Sequence, residues 1–280
     1  MRIINSKEIT EAVAKMCVEA NCRLNGDIRS ALNEGIKTEE SDVSRGVLEN
    51  LIKNADIADA KTVPICQDTG MAVFFAEIGS EVFVEGDTIT DAINKGVAKG
   101  YTEGYLRKSV VADPLDRVNT RDNTPAVIHY DFVKGDKIKL TFAPKGFGSE
   151  NKSALKMLNP SDGVEGIIDF VVETVRKAGA NPCPPMVIGV GIGGTMDKCA
   201  QLAKKALTRD ITSSNPKERY AELERILLER INKLGIGPQG MGGTTTCLGV
   251  NIEVYPTHIA GLPVAVNVNC HATRHAVTIL

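Results

Sequence analysis

Three of the seven cysteines stand where a chain can present a thiolate. Cys66 sits in VPICQDTG, directly before Gln67 and Asp68. Cys183 is bracketed by prolines in NPCPP, and Cys270 ends an apolar run in NVNCHATRH. Each falls where a strand or turn should stop, beside residues that hold the backbone in fixed, non-helical shapes. Loop ends on a rigid scaffold are where binding groups are placed. Three thiolates on a cubane iron–sulfur cluster leave one iron without a protein ligand, and an open metal position can bind substrate and act as a Lewis acid. No CxxC pair occurs, so spacing alone indicates neither a zinc ribbon nor a bacterial ferredoxin. On composition alone, three isolated cysteines are more often structural. The other four, Cys17, Cys22, Cys199 and Cys247, lie inside helix or strand patterns and read as buried apolar thiols.

Polar residues near these loops carry two readings each. Asp68 is a proton-transfer carboxylate if Cys66 is a ligand, and a turn residue before Thr69-Gly70 otherwise. Arg107 in YLRKS can clamp a carboxylate bidentately, or be a solvated helical arginine. His258 precedes an apolar strand, while His271 and His275 flank Cys270 outside any haem-attachment spacing. The loop KGFGSEN (145–151) leads toward a helix start, with Ser149 as candidate cap, and can offer N–H groups to a carboxylate. Its plain alternative is a hairpin-to-helix connection, and GPQGMGGTTT (237–246) has the same ambiguity. Residues 189–194 satisfy G-x-G-x-x-G after an apolar strand and before a helix. A dinucleotide site also needs a second strand ending in an acid about 20 residues on. Asp210 has the distance but not the strand, so the glycines more simply allow backbone to approach a neighbour closely.

The elements that must position these residues follow from periodicity. Apolar spacings of three and four predict helices over 6–24, with Ser6 as N-cap, and over about 27–35 and 40–59. A β-rich run then ends at Gly79. A glycine-weakened helix is predicted over 88–109, strands over 126–133 and 137–143 joined by a turn at 134–136, and helices over 163–178 and 216–234. Strand, loop and helix alternate from 184 to 207, and further strands follow Cys247 and the 255–261 segment. The predicted class is α/β: a single mixed domain over 1–280 with a helical N-terminal part of about 60 residues. Thirty-three Lys and Arg against 35 Asp and Glu leave a net charge of −2, which argues against nucleic-acid or anionic-membrane binding. No apolar stretch reaches the roughly 20 residues of a membrane span. MRIINSKEIT is no signal peptide, and seven cysteines without an export signal do not form a disulfide framework. A cytoplasmic protein is expected.

Five strings occur in order: PICQDTG (64–70), KGFGSENKS (145–153), NPCPPMVIGVGIGGT (181–195), GIGPQGMGGTTT (235–246) and YPTHIAGLPVAVNVNCHATR (255–274). Together they resemble the α subunit of the iron–sulfur, class I type of fumarate hydratase, whose close relative is the L-tartrate dehydratase α subunit. The resemblance implies a [4Fe–4S] hydro-lyase with Cys66, Cys183 and Cys270 as cluster ligands. It implies Asp68 in acid/base work, Gln67 reaching the substrate, Arg107 and His258 holding carboxylates, and Gly148 offering a backbone N–H. Phe147 departs from the small residue expected in that loop, which leaves open which glycine of 146–148 makes the contact. The single-chain members carry a further C-terminal domain, so the resemblance also implies a separate β subunit in an α₂β₂ assembly. The expected substrate is a small dicarboxylate, fumarate/malate ahead of L-tartrate. A nucleotide-binding oxidoreductase domain built on residues 189–194 is the reading from another class.

Overall fold

A computed structural model describes residues 1–280. The chain opens with β1 (Arg2–Asn5) and three helices, α1 (Ser6–Cys22), α2 (Gly26–Thr38) and α3 (Asp42–Lys61). There follow β2 (Met71–Gly79), β3 (Val82–Glu85), α4 (Ile89–Glu103), β4 (Val127–Val133) and β5 (Ile138–Lys145). After the single turn α5 (Phe147–Glu150) come β6 (Ala154–Leu158), α6 (Gly163–Ala178), β7 (Met186–Gly193), α7 (Met196–Ala206) and α8 (Glu218–Asn232). Strands β8 (Cys247–Tyr255), β9 (Leu262–Asn269) and β10 (Ala276–Ile279) close the chain. The α/β class and the helical N-terminal part are as expected. No helix is long and apolar enough to cross a membrane.

These elements form two compact units, each built from separate stretches. The first comprises Met1–Leu24, Ala55–Gly146 and Arg274–Leu280; the second comprises Asn25–Asn54 and Phe147–Thr273. The first unit holds a four-stranded sheet in the order β10-β5-β2-β4, with β1 and β3 paired separately. Helices α1 and α4 pack on it. Ile9, Val13 and Met16 of α1 share a core with Phe74, Tyr101 and Phe142. The glycines that weaken α4 in sequence let it touch α1. A Cβ on Gly96 would lie 2.6 Å from the Thr10 carbonyl oxygen, and one on Gly100 would lie 2.8 Å from that of Ala14.

Three local expectations are corrected here. The predicted strand pair over 126–143 is not a hairpin, because β2 lies between its members, parallel to β4 and antiparallel to β5. The 134–136 turn crosses the end of β2, where Ser80 N–H donates to Val133 and Glu81 N–H to Gly135. Burial decides this order. β2 is apolar almost throughout and takes the interior, while half-exposed β4 takes an edge. Asn5, not Ser6, caps α1 through a capping box with Glu8. Ser6 is buried and accepts a hydrogen bond from Asp87 N–H instead. Helix α4 ends at Glu103, so Arg107 lies in the following loop rather than on a helix.

The second unit holds a sheet in the order β6-β9-β7-β8, with β7 parallel to β8 and antiparallel to β9. One face carries Ile188 and Val190 against α6 and α8 residues such as Val171, Val175 and Leu227. The other face meets α7. Strand alternation puts Gly189 and Gly191 on that face, where added Cβ atoms would stand 2.1 Å from the carbonyl oxygens of Ala203 and Cys199. The glycine run is therefore a period-two packing device that draws α7 onto the sheet. Its match to a dinucleotide fingerprint is incidental, which removes the observation on which the oxidoreductase reading rested.

Candidate active site

Burial sorts the thiols. Cys17, Cys22, Cys199 and Cys247 are buried, Cys66 and Cys270 are half-buried, and Cys183 is exposed. Burial pushes the Cys199 thiol up to about 11 and the Cys247 thiol up to about 12, and it raises Cys17 and Cys22 as well. Such groups stay protonated and apolar. The three cysteines on loop ends are thus the three with access to solvent.

In the first unit, Cys66 begins a pinned loop. Asp68 N–H donates to Cys66 Sγ at 3.4 Å, and Gly70 N–H donates to Asp68 Oδ1 at 2.9 Å. Asp68 Oδ2 faces Gly146, whose Cβ position lies only 3.2 Å from it. Buried side chains hold the backbone from behind. Arg274 Nη2 donates to the Asp68 carbonyl at 2.8 Å, Tyr101 Oη to that of Thr69 at 2.6 Å, and Asn123 Nδ2 to that of Gly70 at 3.0 Å. Thr69 Oγ1 donates to the Arg107 carbonyl at 2.9 Å, which ties the exposed arginine to the same loop. Gln67 is exposed beside it, and Cys66 Sγ donates to its Oε1 at 3.7 Å. Tyr101, Asn123 and Arg274 are absent from the sequence reading. Tyr101 looks like one more core aromatic in a helix, and the other two are joined to the loop only by long-range folding.

In the second unit, Cys183 precedes β7 and Cys270 follows β9, and the antiparallel pairing Val187↔Asn269 brings these strand ends together. His271 N–H donates to the Cys183 carbonyl at 3.2 Å, and His271 Nδ1 lies 3.0 Å from the same oxygen. His258 lies at the other end of this sheet. It follows β8, whose last residue Tyr255 pairs with Gly193 at the far end of β7. Eight strand residues separate the two ends, about 23 Å at a rise of about 3.3 Å per residue. His258 is exposed in a turn and accepts Ala260 N–H on Nδ1. The structure therefore groups Cys66, Gln67, Asp68 and Arg107 in one unit and Cys183 with Cys270 in the other, and it sets His258 apart from that cysteine pair.

The KGFGSEN loop folds as the turn α5, within which Ser149 is buried and donates to Asn269 Oδ1 at 3.5 Å rather than capping a helix. Gly148 is exposed in that turn, and a Cβ there would meet nothing closer than 3.9 Å. Packing is thus tight at 146, beside Asp68, and open at 148.

No three His, Cys, Asp or Glu side chains are gathered to hold a single metal ion. Ligands of a cubane cluster each bind a different iron, so three separate accessible thiols are the donor set such a group takes. The residues present fit it in donor chemistry.

Residues 10–279 match the family described as fumarate hydratase (Fumerase). The chain belongs to that family. Its similarity extends over both units and includes every candidate residue named above. A Methanocaldococcus jannaschii protein named "Putative L(+)-tartrate dehydratase subunit alpha" is 45% identical over 276 residues, 96% of each chain. Relatives named "L(+)-tartrate dehydratase subunit alpha" from Escherichia coli O157:H7 and Escherichia coli (strain K12) are 33% and 32% identical over 271 residues. These matches cover 95% of this chain and 89% of theirs. The resemblance carried by the five motifs thus holds across nearly the whole sequence, within a family of hydro-lyases. Among the relatives compared, the names weigh toward tartrate, the second of the two substrates expected from the motifs.

Proposed function

We propose that this chain is the α subunit of a [4Fe–4S] hydro-lyase that removes water from L(+)-tartrate, with Cys66, Cys183 and Cys270 as the cluster ligands. The observation that carries the reading is the partition of seven thiols into four buried and three accessible on loop ends. When bound, the cluster supplies an open iron that acts as a Lewis acid toward the departing hydroxyl. Asp68 is the group that moves a proton. Gly70 N–H holds Oδ1, and Oδ2 faces Gly146 in the loop that carries the other backbone contacts. Arg107 holds a substrate carboxylate and Gln67 reaches a substrate oxygen. A backbone N–H of the 146–148 loop completes the contacts, Gly148 being the sequence-based choice. His258 fits carboxylate binding only where a second copy of the chain brings its far sheet end to the pocket, in keeping with an α₂β₂ assembly. Names ending in "subunit alpha" among the relatives support a separate β subunit that supplies the remaining polar groups. A cytoplasmic setting, where thiols are kept reduced, suits a cluster held by accessible cysteines.

Fumarate hydration to malate is the second reading, favoured by the description of the family itself. The deciding experiment co-expresses the chain with its β-type partner, loads iron and sulfide anaerobically, and assays both reactions. The expected result is a kcat/KM for L(+)-tartrate at least about tenfold above that for fumarate or malate, a difference of about 1.4 kcal/mol. The reverse ratio selects the fumarase reading. Loaded complex that acts on neither acid removes both. The α chain alone is expected to bind a cluster and to be nearly inactive.

A further inference from the structure

Gln239 lies in the loop between α8 and β8, among glycines, and is held at φ 52°. A non-glycine residue in the left-handed region costs backbone energy and persists only where its surroundings compel it. The cause is visible. Gln239 N–H and Gln239 Nε2 both donate to the Pro184 carbonyl, at 2.7 and 2.8 Å. The same Nε2 lies 3.1 Å from His271 Nδ1. Pro184 follows Cys183, itself at φ 54°, and His271 follows Cys270. One amide side chain thus touches both cysteine segments of the second unit, while His271 closes the circuit on the Cys183 carbonyl.

The whole loop lies along the Cys183 segment. A Cβ on Gly240 would stand 2.4 Å from Ala180 Cβ, and Met186 N–H donates to the Thr246 carbonyl at 2.8 Å. With the Cys183 and Pro184 carbonyls both engaged, the peptide planes after these residues are fixed.

We propose that Gln239 is a positioning residue that holds the Cys183 and Cys270 segments in one arrangement, so that the two thiols are set before any cluster is bound. This rests on the cluster reading above. A group that orients ligands without ligating is expected to act on metal retention.

The test uses the full chain with its partner subunit, loaded anaerobically with iron and sulfide, as wild type, Gln239→Ala and Gln239→Glu. The second variant keeps the size of the side chain but cannot donate to Pro184 when ionised. Iron loss to a chelator is followed by visible absorbance, and the melting of the cluster-free chains is measured in parallel. Both variants are expected to release iron about tenfold faster than wild type, with little change in cluster-free melting. Release at the wild-type rate from a loaded variant overturns the inference and leaves the cluster reading intact. Faster release matched by a large loss of stability in both cluster-free variants also overturns it, since Gln239 then serves only the fold. A wild-type chain that takes up neither iron nor sulfide overturns the cluster reading, and this inference with it.

Discussion

At the scale of single residues, solvent access separates thiols that composition treats alike. In the metal-free chain at pH 8, Cys66, Cys183 and Cys270 are expected to react with iodoacetamide within minutes. Cys17, Cys199 and Cys247 should resist until the chain unfolds, because burial both shields them and disfavours their thiolates. Mass spectrometry of the labelled peptides reads this out, and early labelling of Cys199 would undo the sorting. Glu39 makes a second residue-scale case. It is 1% exposed, and its carboxylate accepts N–H groups from Ser41, Thr244 and Thr245 at 2.8–3.2 Å. Burial pushes this carboxyl up, yet the hydrogen bonds from Thr244, Ser41 and Thr245 outweigh burial and hold it below its usual range. A carboxyl lowered in the folded state stabilises the fold above its unfolded pKa of about 4.3, and the contribution fades as pH falls through the folded value. Glu39→Gln should therefore cost about 2 kcal/mol at pH 7, with the gap from wild type narrowing below about pH 4. Urea midpoints at the two pH values test this, and a gap that does not change with pH would contradict it.

At the scale of elements, close backbone approach explains features that resemble ligand motifs. From α7, Cys199 Sγ donates to the Gly191 carbonyl of β7 at 3.1 Å, and the helix lies against the glycine face of the strand. Gly191→Ala should lower stability by about 3 kcal/mol through forced separation of α7 from the sheet. Equilibrium denaturation of the variant beside wild type measures it, and an unchanged midpoint would restore the possibility that the glycines serve a ligand. The 237–246 loop behaves in the same way. Its N–H groups at Thr244 and Thr245 face the protein's own Glu39 carboxylate. The 146–148 loop differs in standing next to the Asp68 carboxyl.

At the scale of the whole molecule, the candidate residues are distributed between two units. Cys66 and Asp68 belong to the first, and Cys183 and Cys270 to the second. Under the proposal that all three thiols hold one cluster, losing any one of them should have the same effect. Cys66→Ser, Cys183→Ser and Cys270→Ser should each abolish iron and sulfide binding in the assembled enzyme, whereas Cys247→Ser should retain both at some cost in stability. Iron and acid-labile sulfide analysis of the anaerobic preparations decides this. A cluster that survives loss of Cys66 would confine the metal site to the second unit and require another donor.

Local pattern and side-chain chemistry were legible along the chain. Amphipathic spacing marked α1, α3, α6 and α8, apolar runs marked β2 and β7, and loop settings marked Cys66, Cys183 and Cys270. The five motifs carried the family. The sequence also placed Arg107 on a helix and β4 beside β5, because periodicity reports which face is apolar and not which strand lies next to which. Tertiary structure decided the rest. It set β2 between β4 and β5, turned the glycine run toward α7, and put His258 at the sheet end opposite Cys270. It also gave Arg274, Tyr101 and Asn123 the task of holding the Cys66 loop. These are contacts between residues tens to hundreds of positions apart, fixed by strand order and burial, and no local window of sequence contains them.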